Sequence, residues 1–336
     1  MTQRGNQAAC RTTLAVLLIA VLASINLSPL FGQRDTIRAD VDLVVVPTSV
    51  KGADGRFVYD LKKEDFSIYE DGRQQQIQQF SIDPAPLSAV VLIDTGIGGI
   101  ALRRFSSAVV SLSSAFTPMD EVEVYRFQKY IAKLSDFSND EDKLEKDLAF
   151  IRTISEGRPE ENSALTVFPG RGPRWFRWLL DRNIDTRMLN DAVFAGAQDL
   201  EKRALEYRKL IIAISDGQDA KGNFRAKDTI SRLVRDQIQF YAVTVSAPVL
   251  SKVTSTLESY ADATGGDVYS GRTEGGMQNA FALITEQARH EYVLSYVSNN
   301  EVSGSVPALR KIEVKTARPG LNVRHRREYL QYPQHR

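Results

Sequence analysis

The sequence predicts an α/β fold: a doubly wound, mainly parallel sheet with helices on both faces, plus a small β-domain built from strands near the two ends. Three observations predict it. Ala89-Val90-Val91-Leu92-Ile93 and Leu210 to Ile214 are continuous apolar runs, as expected of strands buried on both faces. Between and after them, apolar residues recur at three- and four-residue spacing, the mark of amphipathic helices. On either side of this alternating region the pattern changes to short, alternating strands separated by turn residues.

The elements follow in order. Residues 1–32 read as an export signal. Arg4 and Arg11 supply positive charge, and Leu14 to Leu27 form an apolar run that is short for a transmembrane span but right for a signal core. The expectation is cleavage near Gly32; an uncleaved anchor is the alternative, and membrane contact is expected only through it. Either way the body is expected outside the cytoplasm: periplasmic, envelope-associated or secreted.

Residues 39–83 read as β. Val41, Leu43 and Val45 alternate with their neighbours, Lys51 to Gly55 is a turn cluster, and Phe66, Ile68 and Tyr69 form a strand ended by Glu70-Asp71-Gly72. Ile77 and Phe80 begin another strand, and Pro84 and Pro86 mark a linker.

Residues 87–289 alternate strand and helix. Leu102, Phe105, Val109, Leu112 and Phe116 form one helical stripe. Val122, Val124 and Phe127 mark a strand. Ser138 with Glu141 reads as a capping box before the stripe Leu144, Leu148, Ile151. Further helices are read at Leu189–Ala204, around Ile230–Val234, at Val253–Ala261 and at Met277–Ala288, with a strand at Phe240–Val245. Gly265-Gly266 and Gly275-Gly276 are read as turn signals.

Residues 290–330 are β again, with Tyr292, Leu294 and Tyr296 alternating, then Ile312 and Val314. These strands are few and short, and so small a sheet needs a partner. The N- and C-terminal strands are therefore expected to fold together around the α/β region. Two separate β-extensions are the alternative.

Composition excludes several functions. The 336-residue chain is 43% hydrophobic and 25% charged, with a formal net charge of +1. That balance argues against a nucleic-acid partner. The single cysteine, Cys10, lies in the export segment, which removes disulfides, thiol catalysis and cysteine-metal sites from the body. The three histidines are His290, His325 and His335, too few and too scattered for a triad or a histidine metal centre.

Ligands of open parallel sheets bind at the carboxyl ends of strands, where the strand order reverses. Two such ends carry acid and glycine: Asp94 in Asp94-Thr95-Gly96-Ile97-Gly98-Gly99, and Asp216 in Ser215-Asp216-Gly217-Gln218-Asp219. Leu189-Asn190-Asp191-Ala192 opens the middle helix between them.

Here the chain resembles the von Willebrand factor A (VWA) family, and within it the VWFA-related proteins of acidobacteria. The resemblance rests on the order of several motifs. Val58-Tyr59-Asp60-Leu61-Lys62-Lys63-Glu64-Asp65-Phe66 and Tyr69-Glu70-Asp71-Gly72 come first. Arg208-Lys209-Leu210-Ile211-Ile212, Ser215-Asp216-Gly217 and Ala263-Thr264-Gly265-Gly266 follow. Tyr292-Val293-Leu294-Ser295-Tyr296, Val323-Arg324 and Tyr329 close the series.

The resemblance implies a metal-ion-dependent adhesion site: Asp-x-Ser-x-Ser at the first strand end, a threonine before the middle helix, an aspartate at the later strand end. Hydroxyl and carboxylate oxygens there hold Mg²⁺, with one position open for a partner's carboxylate. Asp94 and Asp216 match. Gly96 and Gly98 replace both serines, and the threonine position falls on Arg187, with Thr186 one residue early. The expected site is degenerate and without a cofactor; Mg²⁺ held by Asp94 and Asp216 is the alternative. Arg187 either takes the metal's place between the two acids or is solvated, with the acids held by backbone N–H groups.

Residues 156–185 form a long insert of poor periodicity that holds both tryptophans. Arg171, Arg174, Trp175, Arg177 and Trp178 are the candidate partner-binding residues, because Trp and Arg dominate binding hot spots. The competing reading has Trp175 and Trp178 pin the insert to the body. Asp191 and Asp219 are candidate extra ligands, or acids that complement helix dipoles. Arg324, His325, Arg326 and Arg327 read as a solvated basic run, with anionic lipid or wall polymer as the alternative target. The function expected is an exported, non-enzymatic module for adhesion or scaffolding, with a protein partner. A metal-dependent hydrolase and a purely structural envelope protein are the alternatives.

Overall fold

In order along the chain the strands are β1 (Leu43–Lys51), β2 (Phe66–Glu70), β3 (Arg73–Gln75), β4 (Ile77–Ser81), β5 (Leu87–Asp94), β6 (Glu121–Phe127), β7 (Ile131–Ser138), β8 (Arg208–Ser215), β9 (Gln239–Thr244), β10 (Val268–Ser270), β11 (Tyr292–Val297), β12 (Ala308–Thr316), β13 (Asn322–His325) and β14 (Glu328–Gln331). The helices are α1 (Gly99–Ser113), α2 (Glu141–Ser155), α3 (Leu189–Glu201), α4 (Ala226–Arg235), α5 (Thr254–Thr264) and α6 (Glu274–Arg289). The structure is a computed structural model that describes residues 43–97, 99–155, 188–219, 222–245, 254–300 and 306–333.

The central sheet has the order β10-β9-β8-β5-β6-β7. Its first five strands run parallel, and β7 pairs antiparallel with β6 at the edge. All eight residues of β5 are buried. Alternation along it sends Ala89, Val91 and Ile93 into one core and Val90 and Leu92 into the other. α1, α2 and α6 pack on the first face through Phe105, Leu148 and Phe281, among others; α3, α4 and α5 cover the second through Val193, Leu233 and Tyr260. The fold class expected from the sequence is therefore observed. β7 and β10 were not expected: β7 is half-buried with mixed polarity, and β10 is only three residues long.

The terminal strands build the small β-domain. One sheet has the order β13-β1-β11-β4 and the other β14-β12-β2-β3. β1 and β11 pair antiparallel, Leu43 opposite Val297, and β2 pairs antiparallel with β12, Phe66 opposite Thr316. Their inner faces share one core that includes Val46, Ile68, Tyr292, Leu294 and Tyr296. The β2–β3 hairpin turns at Asp71 and Gly72, whose φ angles of 49° and 80° are those of a tight hairpin turn.

Three local expectations are corrected. The cap of α2 is Asp140, not Ser138: the Lys143 N–H donates to its carboxylate at 3.1 Å, while Ser138 Oγ accepts only from Asp140 N–H. Gly275-Gly276 is not a turn but the first turn of α6, capped by Thr273, whose hydroxyl accepts from Gly276 N–H at 3.0 Å. The basic run at 324–327 is not a solvated tail. Arg324 pairs with Asp262 and Asp267, Arg326 is 8% exposed, and the backbone there lies against the end of α5. Acids on α5 and at Asp267 draw it in, an attraction that a linear reading of charge does not show. Among the described residues no helix is long and apolar enough to cross a membrane.

Candidate functional site

The strand order reverses between β5 and β8. Successive connections run from β5 to β6 on one side, then return to β8 on the other. Asp94 ends β5 and Ser215-Asp216 end β8, so the reversal brings them together.

Asp94 is fully buried and both its oxygens accept hydrogen bonds. Oδ2 accepts from Ser215 Oγ at 2.8 Å, and Oδ1 accepts from Gly96 N–H at 2.9 Å. Ser215 Oγ in turn accepts from Gly217 N–H at 3.0 Å. The hydroxyl thus relays between the β5 end and the loop that follows β8. Asp216 is 7% exposed and accepts from Gln218 N–H at 3.1 Å. Thr95 points away from this pair: its hydroxyl and N–H both donate to Phe127 O, at the end of β6.

The loop after β8 is tied to the start of α3. Asn190 N–H donates to Asp219 Oδ1 at 3.1 Å, and Asn190 Nδ2 donates to Oδ2 at 2.6 Å. Tyr260 of α5 donates its hydroxyl to Asn190 Oδ1 at 2.6 Å. Asp191 accepts from Asn223 N–H at 3.0 Å and from its side-chain amide at 2.9 Å. Phe224 stacks on Phe194, centroids 3.7 Å apart, and Arg232 lies over Phe194. Desolvation holds the Asp219 carboxyl above its ordinary range, and the Asp191 charge pushes the same way.

Asp219 is therefore not in a helix first turn; it caps α3 from a neighbouring loop. Asp191 is in the first turn of α3, but its carboxylate is spent on Asn223. Ser215 and Asn190 entered the sequence reading only as neighbours of Asp216 and Asp191, without roles of their own, and Tyr260 and Asn223 did not enter it at all.

The donors present do not fit a Mg²⁺ adhesion site. Gly96 turns an N–H donor, not a hydroxyl oxygen, toward Asp94. Ser215 Oγ donates to Asp94 and accepts from Gly217 N–H, which leaves that hydroxyl a single lone pair. A hard, six-coordinate cation needs oxygen lone pairs at these positions. Among the described residues no three His, Cys, Asp or Glu side chains converge as metal ligands. Gly98, Thr186 and Arg187 lie outside the described residues, as do Arg171, Arg174, Trp175, Arg177 and Trp178.

No protein-family model matches the chain, and no curated protein sequence matches it. Solved structures do. Proximal thread matrix protein 1 of the mussel byssus is similar at 11% identity and a TM-score of 0.44, over 62% of this chain and 49% of that one. BatB of Bacteroides thetaiotaomicron is similar at 12% identity and a TM-score of 0.43, over 60% of this chain and 98% of that one. A von Willebrand factor type A protein of Catenulispora acidiphila is similar at 10% identity and a TM-score of 0.44, over 87% of this chain and 74% of that one. The chain thus spans about half the length of the mussel protein, 49%.

Proposed function

We propose that this chain is an exported, non-enzymatic protein-binding module of the VWA type, which engages its partner at the carboxyl end of the central sheet without a metal ion. The observation that carries the reading is the closed hydrogen bonding of Asp94 by Ser215 and Gly96. Each oxygen of this fully buried acid accepts a hydrogen bond from its own fold, which supports a structural role over a substrate- or ion-facing one. What remains at this end is a platform in which Asp219 is bonded to Asn190 of α3, Asn223 to Asp191 of α3, and Tyr260 of α5 to the same Asn190. Platforms of this kind suit recognition. The Arg/Trp insert directly precedes α3 in sequence, and in this reading Arg171, Arg174, Trp175, Arg177 and Trp178 supply the contacts.

Site-directed photo-crosslinking in the native host tests this. A photoreactive residue at exposed Gln218 is expected to trap a protein adduct of discrete mass, and one at exposed Lys315 on the β-domain is not. Chelation of divalent ions is expected to leave the adduct unchanged. An adduct lost on chelation would overturn the metal-free reading. Equal labelling from both positions would overturn the placement of the site and favour a purely structural role.

A further inference from the structure

A second concave site lies at the opposite end of the sheet. A cavity of about 370 Å³ opens between the first residues of β8 and β9, the end of α4, and the outer face of β1 and β11. Alternation makes that outer face apolar: Val44, Val46 and Leu294 point into the β-domain core, so Val45, Pro47 and Val293 line the cavity. Leu233 and Ile238 close the other wall.

The charges around this cavity do not balance. Glu201 and Asp236 line it, but Arg232 and Arg235 hold them in ion pairs. Three further cations line it: Arg208, Lys209 and Arg326. The Arg208 guanidinium donates to the carbonyls of Ala288, Arg289 and Asp83, and Lys209 Nζ donates to the Glu201 carbonyl. Among the described residues Arg326 has less still. Its Nε has no hydrogen-bond partner, no carboxylate pairs with it, and its cation–π neighbour is the Tyr329 ring, centroid 5.8 Å away. It is nonetheless 92% buried, being 8% exposed. The remaining acid is Glu291, fully buried, whose Oε1 accepts from Gln239 and whose Oε2 has no partner. Burial pushes Glu291 up to about 7 and pulls Arg326 down to about 10, so at neutral pH the arginine is charged and the acid only partly so.

We propose that this cleft binds a carboxylate carried on an apolar body, with the Arg326 guanidinium holding the carboxylate and Val45, Pro47 and Val293 covering the body. The Arg326 Nε is buried with no hydrogen-bond partner, and a carboxylate is the best geometric match for a guanidinium. The apolar walls select against small hydrated anions, which gain nothing from them. Free medium-chain fatty acids and the carboxyl terminus of a chain ending in an apolar residue share this chemistry.

Calorimetric titration of the full chain with octanoate, octanamide and an acetylated pentapeptide ending in leucine tests the proposal. Octanoate or the peptide is expected to saturate at one equivalent, and which of them binds more tightly identifies the source. Octanamide is expected to bind at least tenfold more weakly than the better anion. Arg326→Met is expected to lose about 30-fold or more in affinity. Leu205→Glu at the rim, where the side chain is 94% exposed and its replacement is expected to leave the fold intact, is expected to weaken binding several-fold in a manner relieved by salt. Failure of both anions to saturate, equal binding of octanamide, or unchanged affinity in Leu205→Glu would overturn the proposal.

Discussion

The Tyr296 hydroxyl donates a hydrogen bond to Glu70 Oε2 at 2.7 Å inside the β-domain. Glu70 is fully buried at the end of β2, and Tyr296 is fully buried on β11. Tyr329 on β14 donates to the same oxygen at 2.8 Å, and Ser298 and Asn300 donate to the other, each at 2.6 Å. One carboxylate thus joins segments more than 220 residues apart in sequence, by separations of 226 to 259. Burial and the neighbouring Glu70 charge both push the Tyr296 hydroxyl upward, so it stays a donor at any ordinary pH. Glu70→Ala is expected to destabilise the protein by about 3–5 kcal/mol, because buried donors lose a charged acceptor. Tyr296→Phe removes one of four bonds and is expected to cost about 1–3 kcal/mol. Urea unfolding followed by tryptophan fluorescence and circular dichroism measures both. A Glu70→Ala cost below that of Tyr296→Phe would show that the carboxylate is not the hub.

The same network shows what the sequence could and could not reveal. Glu70, Tyr296 and Tyr329 each belong to a motif on which the family resemblance rests, yet linear reading gave no reason for them to occur together. The two buried strand runs, at 89–93 and 210–214, were legible because strands covered on both faces must be apolar throughout. β7 was not, since an edge strand mixes Lys133 and Asp136 with Ile131 and Leu134. At the candidate site, Asp94 and Asp216 were legible from acid and glycine at strand ends. The Ser215–Asp94 and Asn190–Asp219 bonds were not, because each joins residues whose meeting is fixed only by the strand order.

Stability is expected to fall as pH rises through the neutral range. Burial raises the Glu291 carboxyl from its ordinary 4.5 to about 7, so the folded protein holds this proton more tightly than the unfolded chain does. The resulting stabilisation is fully present below pH 4.5 and is lost as pH rises through about 7. Glu123, raised to about 7 by burial, titrates in the same window. Glu291→Gln keeps the bond from Gln239 and removes the charge. It is expected to gain up to about 3 kcal/mol over the parent at pH 8 and little at pH 4.5. Denaturation midpoints of both proteins across this range give the difference directly, and parallel curves would show that Glu291 ionises in the fold without penalty.

Divalent ions are expected to leave the parent protein unaffected. Calorimetric titration of Mg²⁺ and Mn²⁺ should give no saturable heat, since Gly96 supplies no side-chain oxygen and Asp94 is fully buried with both oxygens accepting from the fold. Saturable binding that disappears in Asp216→Ala would mean that an adhesion-type site persists, and the partner would then carry an acidic group. Binding gained in Arg187→Thr would assign the metal's place to that arginine. Ser215→Ala is expected to cost about 1–3 kcal/mol by leaving Asp94 Oδ2 short of its donor.

Gly265→Ala is expected to damage the second cleft more than the first site. Gly265 follows α5 with φ at 87°, a conformation that costs any other residue. A Cβ there would meet Arg326 N at 2.7 Å and the His325 carbonyl carbon at 2.8 Å. Both contacts are with backbone, so no side chain can rotate to relieve them. The backbone at Arg326 would have to move away from Thr264, its bridge partner, and the guanidinium would move with it. The expected loss of stability is about 2–4 kcal/mol, strain and steric clash combined. Octanoate affinity should fall with it, while the Gln218 crosslink should survive at temperatures where the variant remains folded. If the crosslink and octanoate binding fell together under those conditions, the two ends of the sheet would be coupled through β8 and β9, whose residues run from one site to the other.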